Sequence, residues 1–245
     1  MTERQPVKIA AMADLHVKMS DKGKWKSCFE EISEKADILV ICGDLTDTGD
    51  EEEAQILADE LHALHIPVVG VLGNHDFEKG RHKLIRQALT AANFHVLDGE
   101  SLVIKDTGFA GIKGFGGGFD RYMLSMFGED AMKAFVQEAV NESMQLDRAL
   151  ARLEQEHPEI PKVALLHYAP IAETVKGEPV EIYPFLGSSL LAEPLQRREV
   201  SAVFHGHAHA GQMLGSIADK LPVYNVALPV LRKHQQGSHF FVMEL

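Results

Sequence analysis

The chain has 245 residues, a length that suits one large domain or two small ones, and we expect a single domain over residues 1–245. Its 24 basic and 36 acidic residues give a formal net charge of −12, so its surface as a whole should repel nucleic acid and anionic membranes. A phosphate-bearing substrate would therefore need a local source of positive charge at its binding site.

Cysteine usage and the first residues favour a cytoplasmic protein. Cys28 and Cys42 lie among apolar neighbours and make no disulfide framework, so we interpret both as reduced thiols in the interior. Residues 1–6 do not lead into the apolar segment of a secretory signal, and no run approaches the roughly 18 apolar residues of a membrane span. We expect a cytoplasmic protein that does not associate with membranes.

Strand and helix patterns alternate through the first part of the chain. The predicted elements are a strand at 7–13, a helix at 24–35, a strand at 37–42, a helix at 50–65, a strand at 68–72 and a helix at 81–92. In the first of these helices Trp25, Phe29 and Ile32 recur at helical spacing and form one apolar face. The alternation indicates an α/β fold with a largely parallel sheet, in which ligands bind outside the carboxyl ends of the strands.

Further strands and one long helix are predicted in the rest of the chain. The elements are a hairpin of 95–97 and 101–104 around Asp98-Gly99, a strand at 109–113, a helix at 129–156, a strand at 162–166, a helix at 188–198, and strands at 200–204, 223–228 and 239–244. The apolar face of the long helix consists of Phe135, Ala139, Leu146, Leu150 and Leu153. We assign this face to core packing, with a dimer interface or a cap over the site as alternatives. The glycine-rich loop at 115–128 fits either a turn or a surface beneath a substrate.

Polar side chains follow several predicted strands at their carboxyl ends. They are Asp14 and His16, then Asp44 and Asp47, then Asn74, His75 and Asp76, then His167, and finally His207 and His209. Carboxylates and imidazoles that converge at one edge of a sheet suit borderline divalent ions such as Zn, Mn or Fe, and thiolate ligands are absent from the set. The set exceeds what one tetrahedral ion can use, which suggests two metals that share a bridging ligand.

Five motifs in a fixed order carry a family resemblance: Asp-x-His, Gly-Asp-x-x-Asp, Gly-Asn-His-Asp, a lone strand-end His and Gly-His-x-His, between Asp14 and His209. In this order they resemble the calcineurin-like metallophosphoesterase superfamily, and in particular its phosphodiesterase-like members. The resemblance implies a four-layer α/β/β/α sandwich of two mixed β-sheets flanked by helices. It thereby adds a second sheet that periodicity alone does not indicate.

The resemblance also implies a set of metal ligands. It assigns Asp14, His16 and His209 to a first ion, Asn74, His167 and His207 to a second ion, and Asp44 to both as the bridge. Two divalent ions with only Asp14 and Asp44 as anionic ligands keep a charge of about +2, which acts at contact range, whereas surface charges are screened over roughly 8 Å. These ions would supply the local positive charge that the acidic surface lacks.

The implied reaction is hydrolysis of a phosphoester. A hydroxide between the ions would attack phosphorus in line, since a bound divalent ion lowers the pKa of water toward about 7. His75 would face the phosphoryl group as an acid or oxyanion stabiliser, oriented by the carboxylate of Asp47. We expect Asp76 to support the metal ligands without binding metal, or to stabilise the turn, rather than to act directly in catalysis. The candidates for substrate contact are Asn74, His75 and Tyr168.

The superfamily includes protein phosphatases, cyclic-nucleotide phosphodiesterases, dinucleoside polyphosphate hydrolases and nucleases. Its protein phosphatases carry Asp-Arg-Gly after the second motif and Glu after Asn-His, whereas this chain has Asp47-Thr48-Gly49 and Asp76. We therefore favour a small-molecule phosphodiester or phosphomonoester, for example a nucleotide-like compound. A metal-dependent DNA nuclease or exonuclease is the alternative, although no basic patch with interleaved aromatic residues is found. A non-catalytic scaffold is a further alternative, but such a protein should have lost ligands.

Overall fold

The computed structural model describes residues 6–235 and 237–245. The absence of a secretory signal was predicted partly from residues 1–5, which lie outside the described residues. Among the helices of the described residues, none combines the length and the apolar character needed to cross a membrane. Cys28 and Cys42 are both free thiols, the first half-buried and the second buried.

Strands and α-helices alternate through the first part of the described residues, whereas several strands follow one another after residue 94, and short 3₁₀ turns stand between some of the elements. The strands are β1 (Lys8–Met12), β2 (Ile38–Cys42), β3 (Val68–Val71), β4 (Phe94–Val96), β5 (Glu100–Ile104), β6 (Thr107–Gly111), β7 (Lys162–Leu165), β8 (Ala202–His205), β9 (Leu214–Ile217), β10 (Leu221–Asn225) and β11 (Phe241–Glu244). The α-helices are α1 (Lys26–Lys35), α2 (Glu51–Leu61), α3 (His82–Ala91), α4 (Asp130–Glu156), α5 (Tyr183–Leu186), α6 (Ala192–Arg197) and α7 (Leu228–His234).

The strands form two mixed sheets. In the first sheet the order is β11-β1-β2-β3-β4, with β1 to β4 parallel and β11 antiparallel to β1. In the second it is β5-β6-β7-β8-β10-β9, with antiparallel strands β5 and β9 at the two edges. Helices α1 and α3 contact strands of the first sheet and α2 packs against both helices, whereas α4 and α6 contact the second sheet. The four-layer α/β/β/α prediction is confirmed.

The apolar residues pack as the sequence patterns predict. Strands β1, β2 and β3 are buried on both faces except at Lys8, as expected for parallel strands covered on each side. On the first helical segment, Trp25, Phe29 and Ile32 are buried, and the two aromatic rings stack at a centroid distance of 6.4 Å. One hydrophobic cluster contains residues from both sheets, including Ile41 and Phe204, so the sheets are packed face to face.

Helix α4 packs against the second sheet, which confirms its assignment to the core. Ala139, Leu146, Leu150 and Leu153 are buried in contact with strands β5 and β6 and with α6. Phe135, nearer the amino end, is only half-buried and lies against other aromatic rings. The helix therefore supports the second sheet along most of its length and reaches the loops beyond the sheet with its first turns.

The predicted hairpin around Asp98-Gly99 is wrong. Strand β4 pairs with β3 in the first sheet, whereas β5 pairs with β6 in the second, so the chain crosses between sheets at these residues. A tight hairpin instead joins β5 to β6, and its turn consists of Lys105 and Asp106, whose φ angles are positive at 46° and 55° respectively. Two consecutive left-handed residues form the turn type that suits twisted antiparallel strands.

Several boundaries in the last part of the chain also differ from the predictions. The segment predicted as a helix at 188–198 divides into a 3₁₀ turn and the short helix α6, and β10 ends at Asn225 rather than at residue 228. The strand ends there because Leu228 begins α7, with Pro229 in the first turn where a missing N–H costs nothing. Strand β9 and helix α7 were not predicted.

A buried ion pair connects helix α4 to the loop that follows β6. The Nζ atom of Lys113 lies 3.3 Å from Oε1 of Glu142, and the other carboxylate oxygen accepts a hydrogen bond from the Gly114 N–H at 2.7 Å. The carbonyl of Lys113 in turn accepts hydrogen bonds from the N–H groups of His167 and Tyr168. The ion pair therefore fixes the loop whose Lys113 carbonyl holds the backbone of His167, a predicted metal ligand.

Replacing Glu142 by leucine should destabilise the fold, because Lys113 would keep a buried charge without its partner. We expect a loss of about 3 kcal/mol in the free energy of unfolding, measured by urea titration. The double variant Glu142→Leu/Lys113→Met should recover most of that loss. The control is Glu138→Leu, an exposed position on the same helix, which should change stability by less than about 0.5 kcal/mol. A double variant as unstable as Glu142→Leu would show that the ion pair is not the cause.

Candidate metal centre

The carboxyl ends of parallel strands from both sheets meet at one edge of the sandwich. The predicted side chains lie in the loops after these strands: Asp14 and His16 after β1, Asp44 and Asp47 after β2, Asn74 and His75 after β3, His167 after β7, and His207 and His209 after β8. Ligands of open α/β sheets bind at this position, outside the carboxyl ends of the strands. The fold therefore places side chains that are distant in sequence in one site.

The possible ligand atoms form three overlapping groups, and the atoms within each group all lie within 4.8 Å of one another. The groups are Asp14, His16 and His209; Asp44, His167 and His207; and His16, Asp44 and His75. The amide oxygen of Asn74 lies 2.8 Å from Nε2 of His167 and so belongs with the second group. The first two groups, with Asn74, contain the seven side chains that the family resemblance assigns to two ions.

Asp44 belongs to the second group and directs one carboxylate oxygen toward His167 of that group and the other toward His16 of the first group. Oδ1 is 3.3 Å from Nε2 of His167, and Oδ2 is 3.7 Å from Nε2 of His16. In the first group, Nε2 of His209 is 2.9 Å from an oxygen of Asp14. The Nε2 atom of His16 is buried without a hydrogen-bond partner, which is costly unless a ligand satisfies it. This orphaned nitrogen and the mixed carboxylate and imidazole donors fit divalent metal ions.

Backbone carbonyls orient two of the histidines. Nδ1 of His167 lies 3.0 Å from the carbonyl of Cys42, and Nε2 of His207 lies 3.1 Å from the carbonyl of Phe185. A ring N–H that donates to a carbonyl leaves the lone pair on the opposite nitrogen, and metal-binding histidines are commonly fixed in this way. Cys42 and Phe185 were not identified from the sequence, since every residue has a carbonyl and the residue type gives no signal for this role.

Asp47 orients His75 through a different atom from the one predicted. Nδ1 of the His75 ring lies 2.7 Å from the backbone carbonyl of Asp47. The backbone N–H of His75 donates to Oδ1 of Asp44 at 2.9 Å. The Asp47 carboxylate instead lies 3.7 Å from Nδ1 of His16 and 3.6 Å from Nζ of Lys18. The carbonyl occupies the place expected for the carboxylate, which turns toward two other nitrogen atoms.

Several of these residues have a left-handed backbone that non-glycine residues rarely adopt. The φ angles are 60° at Asp14, 44° at His16, 49° at Asp44 and 69° at His207. Each such conformation costs about 1–3 kcal/mol and persists only where surrounding contacts impose it. The contacts are present here, because the His207 N–H donates to the carboxylate of Asp14 at 3.0–3.1 Å. Strain that coincides with the candidate ligands favours a functional site.

Asp76 ties the loop after β2 to the loop after β3. Its carboxylate is fully buried and accepts hydrogen bonds from the N–H groups of Gly73, Leu45 and Thr46 and from the Thr46 hydroxyl. Burial and the nearby Asp44 raise the pKa of Asp76 to about 6. A side chain at Gly73 would place its Cβ only 2.2 Å from Asp44, so this position requires glycine because of close packing. Asp76 thus stabilises the loops behind the ligands.

The buried imidazoles differ in protonation: burial alone would lower the pKa of His167, but the Asp44 carboxylate outweighs it and raises that pKa to about 9, so a metal bound there would displace a proton. Burial lowers the pKa of His16, and burial together with His167 lowers the pKa of His207 to about 4. Both imidazoles are therefore neutral at pH 7, which is the form that binds metals. Burial opposes ionisation of Asp44, yet the charge of the neighbouring His167 and hydrogen bonds to the carboxylate lower the pKa of Asp44. Asp44 is consequently available as an anionic ligand.

Tyr168, predicted to contact substrate, packs its ring against that of His207. Its side chain is 8% exposed, and its ring centroid is 4.4 Å from that of His207. Asn225 is fully buried, and its amide donates to the carbonyl of Ala208, the residue between the two histidines of the last motif. Tyr168 and Asn225 therefore hold the loop of His207 and His209 in place from two sides.

His205 also lies in the interior rather than in the site. It is fully buried, and its Nε2 atom is 2.8 Å from the hydroxyl of Thr174. Burial lowers the pKa of His205 to about 4, so the ring stays neutral at physiological pH. The hydrogen bond connects the end of β8 to the 3₁₀ turn at Ala172–Val175, behind the loop that carries His207.

Comparison with known proteins agrees with this geometry. The model of the calcineurin-like phosphoesterase family matches residues 7–211, which include every candidate ligand. The chain is 26% identical over 103 residues to a curated 3′,5′-cyclic-nucleotide phosphodiesterase from Nostoc sp.. The match covers 37% of this chain and only 39% of that relative, so the two proteins share a segment rather than their full lengths.

Solved structures share the fold at low sequence identity. A phosphopantetheinyl hydrolase from Mycobacterium tuberculosis superposes with a TM-score of 0.67 at 16% identity, over 96% of this chain and 95% of that one. A putative 5′-nucleotidase from Staphylococcus aureus gives 0.57 at 14% identity, over 90% of this chain and 48% of that one. TT1561 of Thermus thermophilus superposes with a TM-score of 0.55 at 15% identity, over 98% of this chain and 99% of that one. The family match and this shared fold establish that the chain belongs to the calcineurin-like phosphoesterase family.

Proposed function

We propose that this protein is a dinuclear metal-dependent phosphoesterase that hydrolyses a small-molecule phosphodiester or phosphomonoester. The observation that carries the proposal is that the ligand atoms of two groups each lie within 4.8 Å of one another, and that Asp44, a member of the second group, directs one oxygen toward the first. Asp14, His16 and His209 would hold one ion, and Asp44 would be shared by both. The other ion would be held by Asn74, His167 and His207. Manganese, iron and zinc all suit these donors.

The chain and the ions would have different roles in the reaction. Divalent ions bound here would polarise phosphoryl oxygens and lower the pKa of bound water. His75 would act on the substrate from above the ligands, because its side chain is 38% exposed and its ring packs edge-on against His16 at a centroid distance of 4.5 Å. With Nδ1–H directed at the Asp47 carbonyl, Nε2 is the nitrogen left to face a substrate oxygen, and it would donate a proton or a hydrogen bond when the ring is doubly protonated.

Small substrates are favoured over nucleic acid for two reasons. The net charge of −12 opposes binding to a polyanion, whose affinity for proteins depends largely on phosphate contacts. The related proteins named as a cyclic-nucleotide phosphodiesterase and a phosphopantetheinyl hydrolase also support a small phosphoester. A DNA nuclease remains the second candidate because this family uses the same ligand types for both reactions. We propose the cytoplasm as its location, on the basis of its free thiols.

A direct comparison of substrates tests this proposal. Protein loaded with manganese, iron or zinc should hydrolyse bis(p-nitrophenyl) phosphate, and nucleotides or cyclic nucleotides should be turned over faster than single-stranded DNA at equal phosphodiester concentration. A nuclease would show the opposite order, with DNA cleavage that falls steeply as salt is raised from 50 to 200 mM. No hydrolysis of any phosphoester with any of the three metals would contradict the proposal.

A further inference from the structure

A second cavity lies beside the metal centre, in a part of the chain to which the proposed reaction gives no role. Its volume is about 580 Å³, within the range of roughly 300–1,000 Å³ that is usual for ligand pockets. We name it the apolar groove; its lining includes Phe119, Asp120, Tyr122, Val180, Tyr183 and Pro184. Tyr122 and Val180 are 71% and 68% exposed, so the groove presents grouped apolar surface to solvent.

A hydrogen bond connects the segment that lines the apolar groove to the metal centre. Phe185, next to the lining residue Pro184, accepts a hydrogen bond through its carbonyl from Nε2 of His207 at 3.1 Å. Its ring is 59% exposed at this junction. The opposite wall is the glycine-rich loop, whose Gly117 N–H donates to the Pro184 carbonyl at 2.7 Å. A side chain at Gly116 would place its Cβ 2.4 Å from the Pro184 carbonyl, so glycine lets these two walls meet.

Charge restricts what the apolar groove can bind. Asp120 is the one charged residue among the described residues that line it, and a carboxylate repels phosphate. Phe119 and Tyr183 pack edge to face at a centroid distance of 6.0 Å and offer apolar surface. Arg121, between the lining residues Asp120 and Tyr122, stacks its guanidinium on the Tyr122 ring at 4.7 Å and donates to the Tyr122 hydroxyl, so this cation is already engaged, and the lining residues themselves offer none to a second phosphate. An uncharged apolar chain or ring gains contact with several aromatic and aliphatic surfaces.

We propose that the apolar groove binds the organic part of the phosphoester, and that this part is an uncharged apolar chain or ring. The inference rests on the proposed function, because it places the phosphate at the metal centre and the attached group along Phe185 toward Val180 and Tyr122. It assigns the glycine-rich loop and the 3₁₀ turn at Val180–Ile182 to substrate selection.

Esters that differ only in chain length test this inference. Methyl p-nitrophenyl phosphate and hexyl p-nitrophenyl phosphate have the same leaving group, so a difference in kcat/KM reports contact with the alkyl chain. Each methylene that is fully buried favours binding by roughly fourfold, and we expect the hexyl ester to exceed the methyl ester by at least about tenfold. The substitution Val180→Asp should reduce this ratio to within about twofold of unity.

The control variant is Leu84→Asp, which changes an apolar residue on α3, 48% exposed, that does not line the apolar groove. It should keep the ratio of the unsubstituted protein. Tyr122→Ser provides a second groove variant and should lower the ratio in the same direction as Val180→Asp. Esters are used below their critical micelle concentrations, and far-ultraviolet circular dichroism verifies that each variant is folded.

Four results would overturn the inference. Equal kcat/KM for the two esters would show that the apolar groove does not bind the alkyl chain, and the proposed phosphoesterase activity would still stand. Failure to hydrolyse either ester in the presence of metal would contradict both the groove and the proposed activity. An equal fall of the ratio in Val180→Asp and Leu84→Asp would show that the effect is not specific to the apolar groove. A dimer that Val180→Asp converts to a monomer in gel filtration would show that a second copy of the chain occupies the groove.

Discussion

Replacing Asp44 by alanine should reduce phosphoesterase activity by more than about 10³ and lower the amount of bound metal. The reason is that its two oxygens face different ligand groups, at 3.3 Å from His167 and 3.7 Å from His16. Loss of a residue that only supports a ligand typically costs 10–100-fold in metal affinity or activity, so a shared ligand should cost more. The measurements are initial rates on bis(p-nitrophenyl) phosphate and metal content by inductively coupled plasma mass spectrometry.

Asp37→Ala provides the matched control for Asp44→Ala. Asp37 precedes strand β2 and Asp44 follows it, so the two carboxylates lie at opposite ends of one strand. Asp37 is 40% exposed and pairs with Lys105 at the surface, where such pairs contribute about 0–1 kcal/mol. This control should retain metal and activity. Asp44→Ala with full metal content and activity within tenfold of the unsubstituted protein would show that Asp44 does not bridge two ions.

Replacing His75 by alanine should lower turnover by about 10² or more on esters with poor leaving groups, the usual range for general acid catalysis. The effect should be smaller on p-nitrophenyl esters, because p-nitrophenolate departs without protonation. Metal content should stay unchanged, since the Asp47 carbonyl holds the imidazole through Nδ1, and the backbone N–H that donates to Asp44 is kept in the variant. Rates on alkyl phosphodiesters and on bis(p-nitrophenyl) phosphate, measured beside metal content, provide the comparison.

The control for this variant is His95→Ala, an exposed histidine on β4 that should leave both rates and metal content unaltered. His75 also belongs to a group of possible ligands with His16 and Asp44. Loss of one metal from His75→Ala would therefore mean that His75 is a ligand rather than an acid. Equal loss of rate on both kinds of ester would argue for electrostatic stabilisation instead of proton transfer.

The order of strand-end motifs was sufficient to predict the residues that meet at the site. Apolar runs end in polar side chains at Asp14, Asp44 and Asn74, and parallel strands bring those ends to one edge. The second sheet came only from the family resemblance, because the pattern after residue 95 fits both a hairpin and a crossing between sheets. The chain crosses there, since Val96 pairs in parallel with β3 and cannot fold back onto β5.

Other features depend on atoms or neighbours that a sequence pattern does not specify. The carbonyls of Cys42, Asp47 and Phe185 orient imidazoles, yet a carbonyl is present in every residue. The apolar groove combines residues near 120 with residues near 180, which become neighbours only when the glycine-rich loop meets helix α5. Short segments with isolated apolar side chains, such as Val180, give no periodic signal before folding.

The most direct test of the dinuclear centre is a metal count combined with removal and re-addition of metal. Purified protein is incubated with manganese, iron or zinc, freed of excess metal, and measured by inductively coupled plasma mass spectrometry and by phosphodiesterase rate. We expect about two ions per chain, loss of activity after complete chelation and its return when metal is restored. Fewer than two ions per chain at saturation, or hydrolysis that is unchanged after complete metal removal, would contradict a dinuclear metal-dependent phosphoesterase.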